Sequence, residues 1–154
     1  MTVMSLTNHL LTGVILGASL PLPLALPLAF ISHFVLDALP HFGFRNDAEH
    51  TRYRSLHLAV IIIDVFLSSL LIGWLFMIQR NDLLACAFVA WSPDIVWVYR
   101  FIFVEKFGKI PPPASHEHPF IDFHIRIQRF ERVWGIAVEA FYALFLLMGI
   151  GYLL

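Results

Sequence analysis

Cysteine is nearly missing from this chain. Of 154 residues only Cys86 is one, which excludes an intrachain disulfide and any zinc site built from several thiolates. Charge is scarce as well: Asp, Glu, Lys and Arg make up 14% of the residues, and ten basic against eleven acidic side chains leave a net charge of −1. With no basic block, nothing is suited to track a phosphate backbone, which argues against nucleic acid as a partner. Apolar residues are abundant. They account for 59% of the chain, and its mean hydropathy of +0.78 rules out disorder and argues against a soluble fold. The length suits one domain, and long apolar runs with few charges make residues 1–154 a single integral membrane domain.

Three runs are long enough to cross a bilayer alone, since a hydrocarbon core needs about twenty apolar residues. They are residues 56–78, 83–104 and 133–154. The N-terminal run, residues 6–39, is too long for one span and is interrupted by Pro21, Pro23 and Pro27. Proline suits the first turn of a helix and not its middle, so the sequence predicts a helical hairpin with arms at 6–18 and 22–39. The rival reading is one span over residues 10–32. The expected fold is therefore all-α: a polytopic membrane helical bundle with an N-terminal helical hairpin and three long transmembrane helices. A cleaved signal peptide fits poorly, because no Lys or Arg precedes the first arm and His9 interrupts it.

Lys and Arg concentrate in cytoplasmic loops. Arg45, Arg52 and Arg54 follow the hairpin, and Arg100, Lys106, Lys109, Arg126, Arg129 and Arg132 lie in or beside the connection before the last helix. Arg80 alone occupies the opposite turn. This places the 40–56 loop and the 105–132 segment in the cytoplasm. Within that connection Pro111 to Pro113 keep the chain extended. Phe120, Phe123, Ile127 and Phe130 then recur at helical spacing with Arg126 and Arg129 between them, which suits either an amphipathic stretch at the membrane surface or a solvated connector.

Four carboxylic acids fall inside or at the ends of these runs: Asp37, Asp64, Asp94 and Glu139. A charge at a helix centre costs about 2.5–3.5 kcal/mol on the insertion scale, so these acids should be protonated, paired or bound to a cation. Only Arg100 lies well inside a span, which leaves histidine, protons or metal. In the topology above, His9, His33, Asp37, His57, Asp64, Asp94 and Glu139 all fall between the cytoplasmic face and the midplane. His33 and Asp37 are four residues apart and His57 and Asp64 seven, so each pair shares a helix face. Two imidazoles and two carboxylates form a workable ligand set for a divalent metal, zinc first and manganese or iron as alternatives. Pro93 in Ser92-Pro93-Asp94 frees a backbone carbonyl and opens its helix, and broken membrane helices line protein or water rather than lipid. His50, His116, His118 and His124 lie outside the spans and are expected in solvent. His41 is a candidate ligand at the rim.

Asn8-His9-Leu10-Leu11-Thr12-Gly13, Ser32-His33-Phe34-Val35-Leu36-Asp37-Ala38-Leu39-Pro40-His41 and Ser92-Pro93-Asp94-Ile95 together resemble motifs of the bacterial membrane-bound metal-dependent hydrolases, the YdjM-like family. That resemblance implies a place in the bacterial inner membrane, and His9, His33, Asp37 and Asp94 as metal ligands. In this chain the proline-aspartate step follows the histidine-aspartate helix and lacks a second aspartate, and the family's histidine-arginine-glycine-histidine loop is at best echoed by His50-Thr51-Arg52 and His57.

The leading expectation for function is metal-assisted hydrolysis of a phosphate ester, carried by a membrane lipid or another membrane-associated small substrate. Asp64 or Glu139 would act as general base and Arg52 or Arg54 would hold the anionic group. The alternatives are a proton- or metal-binding transporter, a haem protein with two histidine ligands, and a non-catalytic membrane protein. Oligomeric state is not legible.

Overall fold

The computed structural model describes residues 4–99 and 119–154. The proline-rich N-terminal run folds as two arms, α1 (Leu6–Ser19) and α2 (Leu22–Asp37), joined at Leu20-Pro21. Pro23 sits in the first turn of α2, where no intrahelical donor is lost. Pro27 lies inside α2, which continues to Asp37. A short bridge, β1 (His41–Phe42), and a surface helix, α3 (Asp47–Arg52), follow. The Asn46 side chain caps α3 by accepting from the Glu49 amide, and Glu49 reaches back to the Arg45 amide.

Two helices are long and apolar enough to cross a membrane: α4 (Arg54–Met77) and α8 (Gly135–Leu153). Most of the apolar side chains of α4 and α8 are exposed, as lipid-facing helices require. The 56–78 and 133–154 runs are thus long apolar helices, while the third expected span, 83–104, is broken in its described part and its residues 100–104 lie outside the described residues. The intervening run forms α5 (Asn81–Trp91), a tight 3-10 turn over Ser92–Asp94, and α6 (Ile95–Tyr99). Pro93 is the reason, because it has no N–H for the carbonyl four residues earlier. That carbonyl, on Val89, accepts instead from the Ser92 hydroxyl at 2.9 Å. Expectations for residues 100–118, including Arg100, Lys106, Lys109 and Pro111 to Pro113, lie outside the described residues.

Helix α1 is the centre of the bundle, packed against α2, α4, α5 and α8. Its contact with α5 needs glycine: a Cβ on Gly13 would stand 2.7 Å from the Ala87 Cα and closer still to the Cys86 carbonyl. Leu10, Leu11, Val14, Leu75, Leu83, Ala87, Leu146 and Ile150 close the core around that crossing. Gly135 serves a similar purpose at the start of α8, where the His41 backbone occupies the space of a side chain. β1 pairs in parallel with β2 (Glu131–Arg132), so the loop after α2 and the approach to α8 are held together. Between α4 and α5, the Arg80 guanidinium forms two hydrogen bonds to Asp82 and holds that exposed carboxyl below its usual range.

Asp64 explains how α1 starts. Ser5 provides no side-chain cap, and the Asp64 carboxylate, from α4, accepts from the Leu6 and Thr7 amides at 2.8 and 2.9 Å. An anion at a helix N-terminus satisfies orphan donors and opposes the positive end of the dipole. Asp64→Ala is expected to cost about 1–2 kcal/mol, the upper part of the range for a lost cap, while leaving metal content unchanged. Thermal unfolding in detergent beside elemental analysis checks this. Loss of metal with an unaltered Tm would assign Asp64 to the site instead.

Candidate metal centre

The last turn of α2 carries His33 and Asp37 on one face, and both side chains are fully buried. The broken α5–α6 segment brings Asp94 to them. A third element, α7 (Pro119–Ile127), delivers His124, and Gln128 follows just beyond its end. The sequence reading left His124 in solvent, and that is corrected: its exposure is 0%. Helix α7 turns His124 inward and leaves Phe123 and Arg126 exposed, and Gln128, just after it, is buried as well.

The donor atoms converge. His33 Nε2 lies 3.3 Å from Asp37 Oδ2, 3.5 Å from Asp94 Oδ1 and 3.1 Å from His124 Nε2. His124 Nε2 is 2.7 Å from Asp37 Oδ2 and 3.8 Å from Asp94 Oδ1. All four residues offer a ligand atom within 4.8 Å of every other. Four donors placed tetrahedrally at zinc bond lengths of about 2.0–2.1 Å stand about 3.3 Å apart, which is the middle of the observed spread.

The surroundings prepare these atoms for a cation. His33 donates through Nδ1 to the Ala90 carbonyl at 2.9 Å, just before the helix break, and this leaves the Nε2 lone pair free to bind. Gln128 donates to Asp37 Oδ2 at 2.8 Å and orients the carboxylate. Phe34, Phe120 and Trp97 pack their rings around His124. Inside that shell Asp94 Oδ1 and Asp37 Oδ1 are buried without hydrogen-bond partners. Buried orphan acceptors cost about 1–3 kcal/mol each, and more when charged, and a divalent cation would satisfy them. The donor set therefore fits a metal ion: the buried His33, Asp37, Asp94 and His124 group can hold one.

The remaining candidates are outside this group of four. His9, on α1, stacks on the His33 ring, and its Nε2 lies 3.3 Å from Asp37 Oδ1. Glu139, on α8, accepts from the Phe42 amide at 2.9 Å, and Asn8 donates to the Glu139 carbonyl. Neither Asp64 nor Glu139, each expected as a candidate general base, belongs to the converging group: Asp64 caps α1 and Glu139 anchors the Phe42 amide. His57 packs with Phe42, Phe44 and His50 and does not pair with Asp64 in a ligand set. Arg52 and Arg54 are exposed where α3 meets α4, with Arg52 over the Tyr53 ring. His41 is buried and bonded through Nδ1 to the Leu39 carbonyl.

His124 and Gln128 were missed because a histidine between spans reads as solvated. One signal was present: they repeat the four-residue spacing of His33 and Asp37, with the exposed Arg126 midway between them. No family model matches the chain, and neither the curated proteins nor the solved structures include a match to it.

Proposed function

We propose that this is a bacterial inner-membrane protein built around a divalent metal ion, zinc before manganese or iron, and that it hydrolyses a phosphate ester presented at the cytoplasmic face. The observation that carries the reading is the four-donor cage of two imidazoles and two carboxylates, buried and spaced as a metal requires. An ion held there would polarise a phosphoryl oxygen and acidify water toward neutrality. The chain's own part is to hold and orient. Asp37 is fixed by Gln128 and His124, His33 by the Ala90 carbonyl, and Asp94 least of all: it has the longest donor separations and the only measurable exposure, 6% of its side chain. Asp94 is thus the ligand able to swing aside and accept a proton from water. The exposed arginines Arg52, Arg54, Arg126 and Arg129 suit an anionic headgroup. The resemblance of the His9, His33 and Asp94 motifs to membrane-bound metal-dependent hydrolases agrees with this reading.

Four protein donors are also what a structural site uses, and this favours a second reading in which the ion only clasps α7 onto the bundle. Elemental analysis of detergent-purified protein without a histidine tag tests the metal, and a screen of phospholipid and phosphate-ester hydrolysis separates the two readings. His124→Ala is expected to lose the ion and to render residues 119–130 sensitive to limited proteolysis. Full metal content in that variant would remove α7 from the site. Metal-loaded wild type that hydrolyses none of the esters would leave the clasp.

A further inference from the structure

His9 is unexplained by the four-donor cage. It is fully buried, and neither ring nitrogen has a hydrogen-bond partner. Its Nε2 lies 3.3 Å from Asp37 Oδ1, which is equally buried and equally unpartnered, and the contact lacks hydrogen-bond geometry. Buried polar atoms left in this state point to a group that the protein itself does not supply.

The two imidazoles are arranged alike. His9 and His33 stack with ring centroids 4.2 Å apart and planes inclined by 22°. Each Nε2 stands 3.3 Å from a different oxygen of the same carboxylate, His33 from Oδ2 and His9 from Oδ1. Two-metal sites hold their ions about 3.5–4 Å apart, a distance that one carboxylate can span. A carboxylate with one oxygen toward each ion is a natural bridge between them.

We propose that the site binds two divalent ions bridged by Asp37: the first in the cage of His33, Asp37 Oδ2, Asp94 and His124, the second between His9 Nε2 and Asp37 Oδ1. This rests on the metal-centre reading above and deepens it. The first ion has four protein donors and the second has two, so the second keeps positions for water or for the oxygens of a phosphate ester. Such an arrangement puts the open coordination on the α1 side of Asp37 and the closed coordination on the α7 side.

Counting manganese tests this. Tag-free protein in detergent, stripped with chelator, is titrated with Mn²⁺ alone, and unbound ion is read from its six-line electron paramagnetic resonance signal. Wild type is expected to bind two ions per chain with an exchange-coupled low-temperature spectrum. His9→Ala, and His9→Phe, which keeps a ring on His33 but has no donor, are expected to bind one uncoupled ion. One uncoupled ion in wild type overturns the second site whether or not the variants fold. Its loss in both folded variants would give His9 to the first ion. Two uncoupled ions would overturn Asp37 as the bridge. Absence of any bound manganese or zinc would instead remove the metal-centre reading, and this inference with it.

Discussion

Asp37→Asn is expected to weaken metal binding by at least about 100-fold, more than the loss of a group that only orients a ligand costs, and to abolish any hydrolysis that depends on the ion. The reason lies in how many groups converge on this one carboxylate: His9 on one oxygen, and His33, His124 and Gln128 on the other. Asparagine keeps the volume and removes the negative charge. Its amide nitrogen would face either the Gln128 amide and His124 or the lone His9, with no arrangement that serves all four partners. Isothermal titration with zinc and elemental analysis after dialysis provide the measurement. Asp94→Asn serves as the comparison, since Asp94 is held by fewer partners and stands farther from both cage imidazoles. The expected order is a severe loss at Asp37 and a smaller one at Asp94. Wild-type affinity in Asp37→Asn would end the metal-centre reading.

Gly13→Ala is expected to be as damaging to the fold as Asp37→Asn is to the site. The added methyl would meet the Cys86 carbonyl and the Ala87 Cα of α5, and these are backbone atoms that cannot rotate away. Overpacking costs about 1–3 kcal/mol where side chains can adjust, and more is expected where two helix backbones must separate. The damage should spread to the site, because α5 provides the Ala90 carbonyl that orients His33 and leads directly into Asp94. Gly17→Ala, one turn on, is the control. Its methyl would approach the Cys86 Sγ and the Leu83 Cδ2 at 3.0 Å, and side-chain ends can give way. Size-exclusion chromatography and thermal unfolding in detergent should show Gly13→Ala largely misfolded or lowered in Tm by many degrees, with Gly17→Ala close to wild type. Equal behaviour of the two would mean that the α1–α5 contact is loose.

Much of the helical layout is local in origin and was readable. Residues 54–77 and 135–153 are helices long and apolar enough to cross a membrane, as their long apolar runs led one to expect. The turn at Leu20-Pro21 and the break at Pro93 follow from proline's missing donor. His33 and Asp37 share a face because four residues complete about one turn of helix. The break in the 83–104 run was less readable in its form: hydropathy counts apolar residues, and a 3-10 turn at Ser92–Asp94 changes their direction without changing their count.

The roles of the four acids were not readable from spacing. Asp64 and Asp94 are both aspartates within apolar runs, yet one caps α1 and the other faces two imidazoles. Glu139 is an anchor for the Phe42 amide, a partner distant in sequence. His124 reaches Asp37 across 87 residues. Composition and periodicity determined that this chain is helical, suited to a membrane, and burdened with buried acids and histidines that need a partner. Which of them meet was decided only by the packing of α2, α5 and α7, because a helix period sets the face a residue occupies and the tertiary fold alone sets what that face meets.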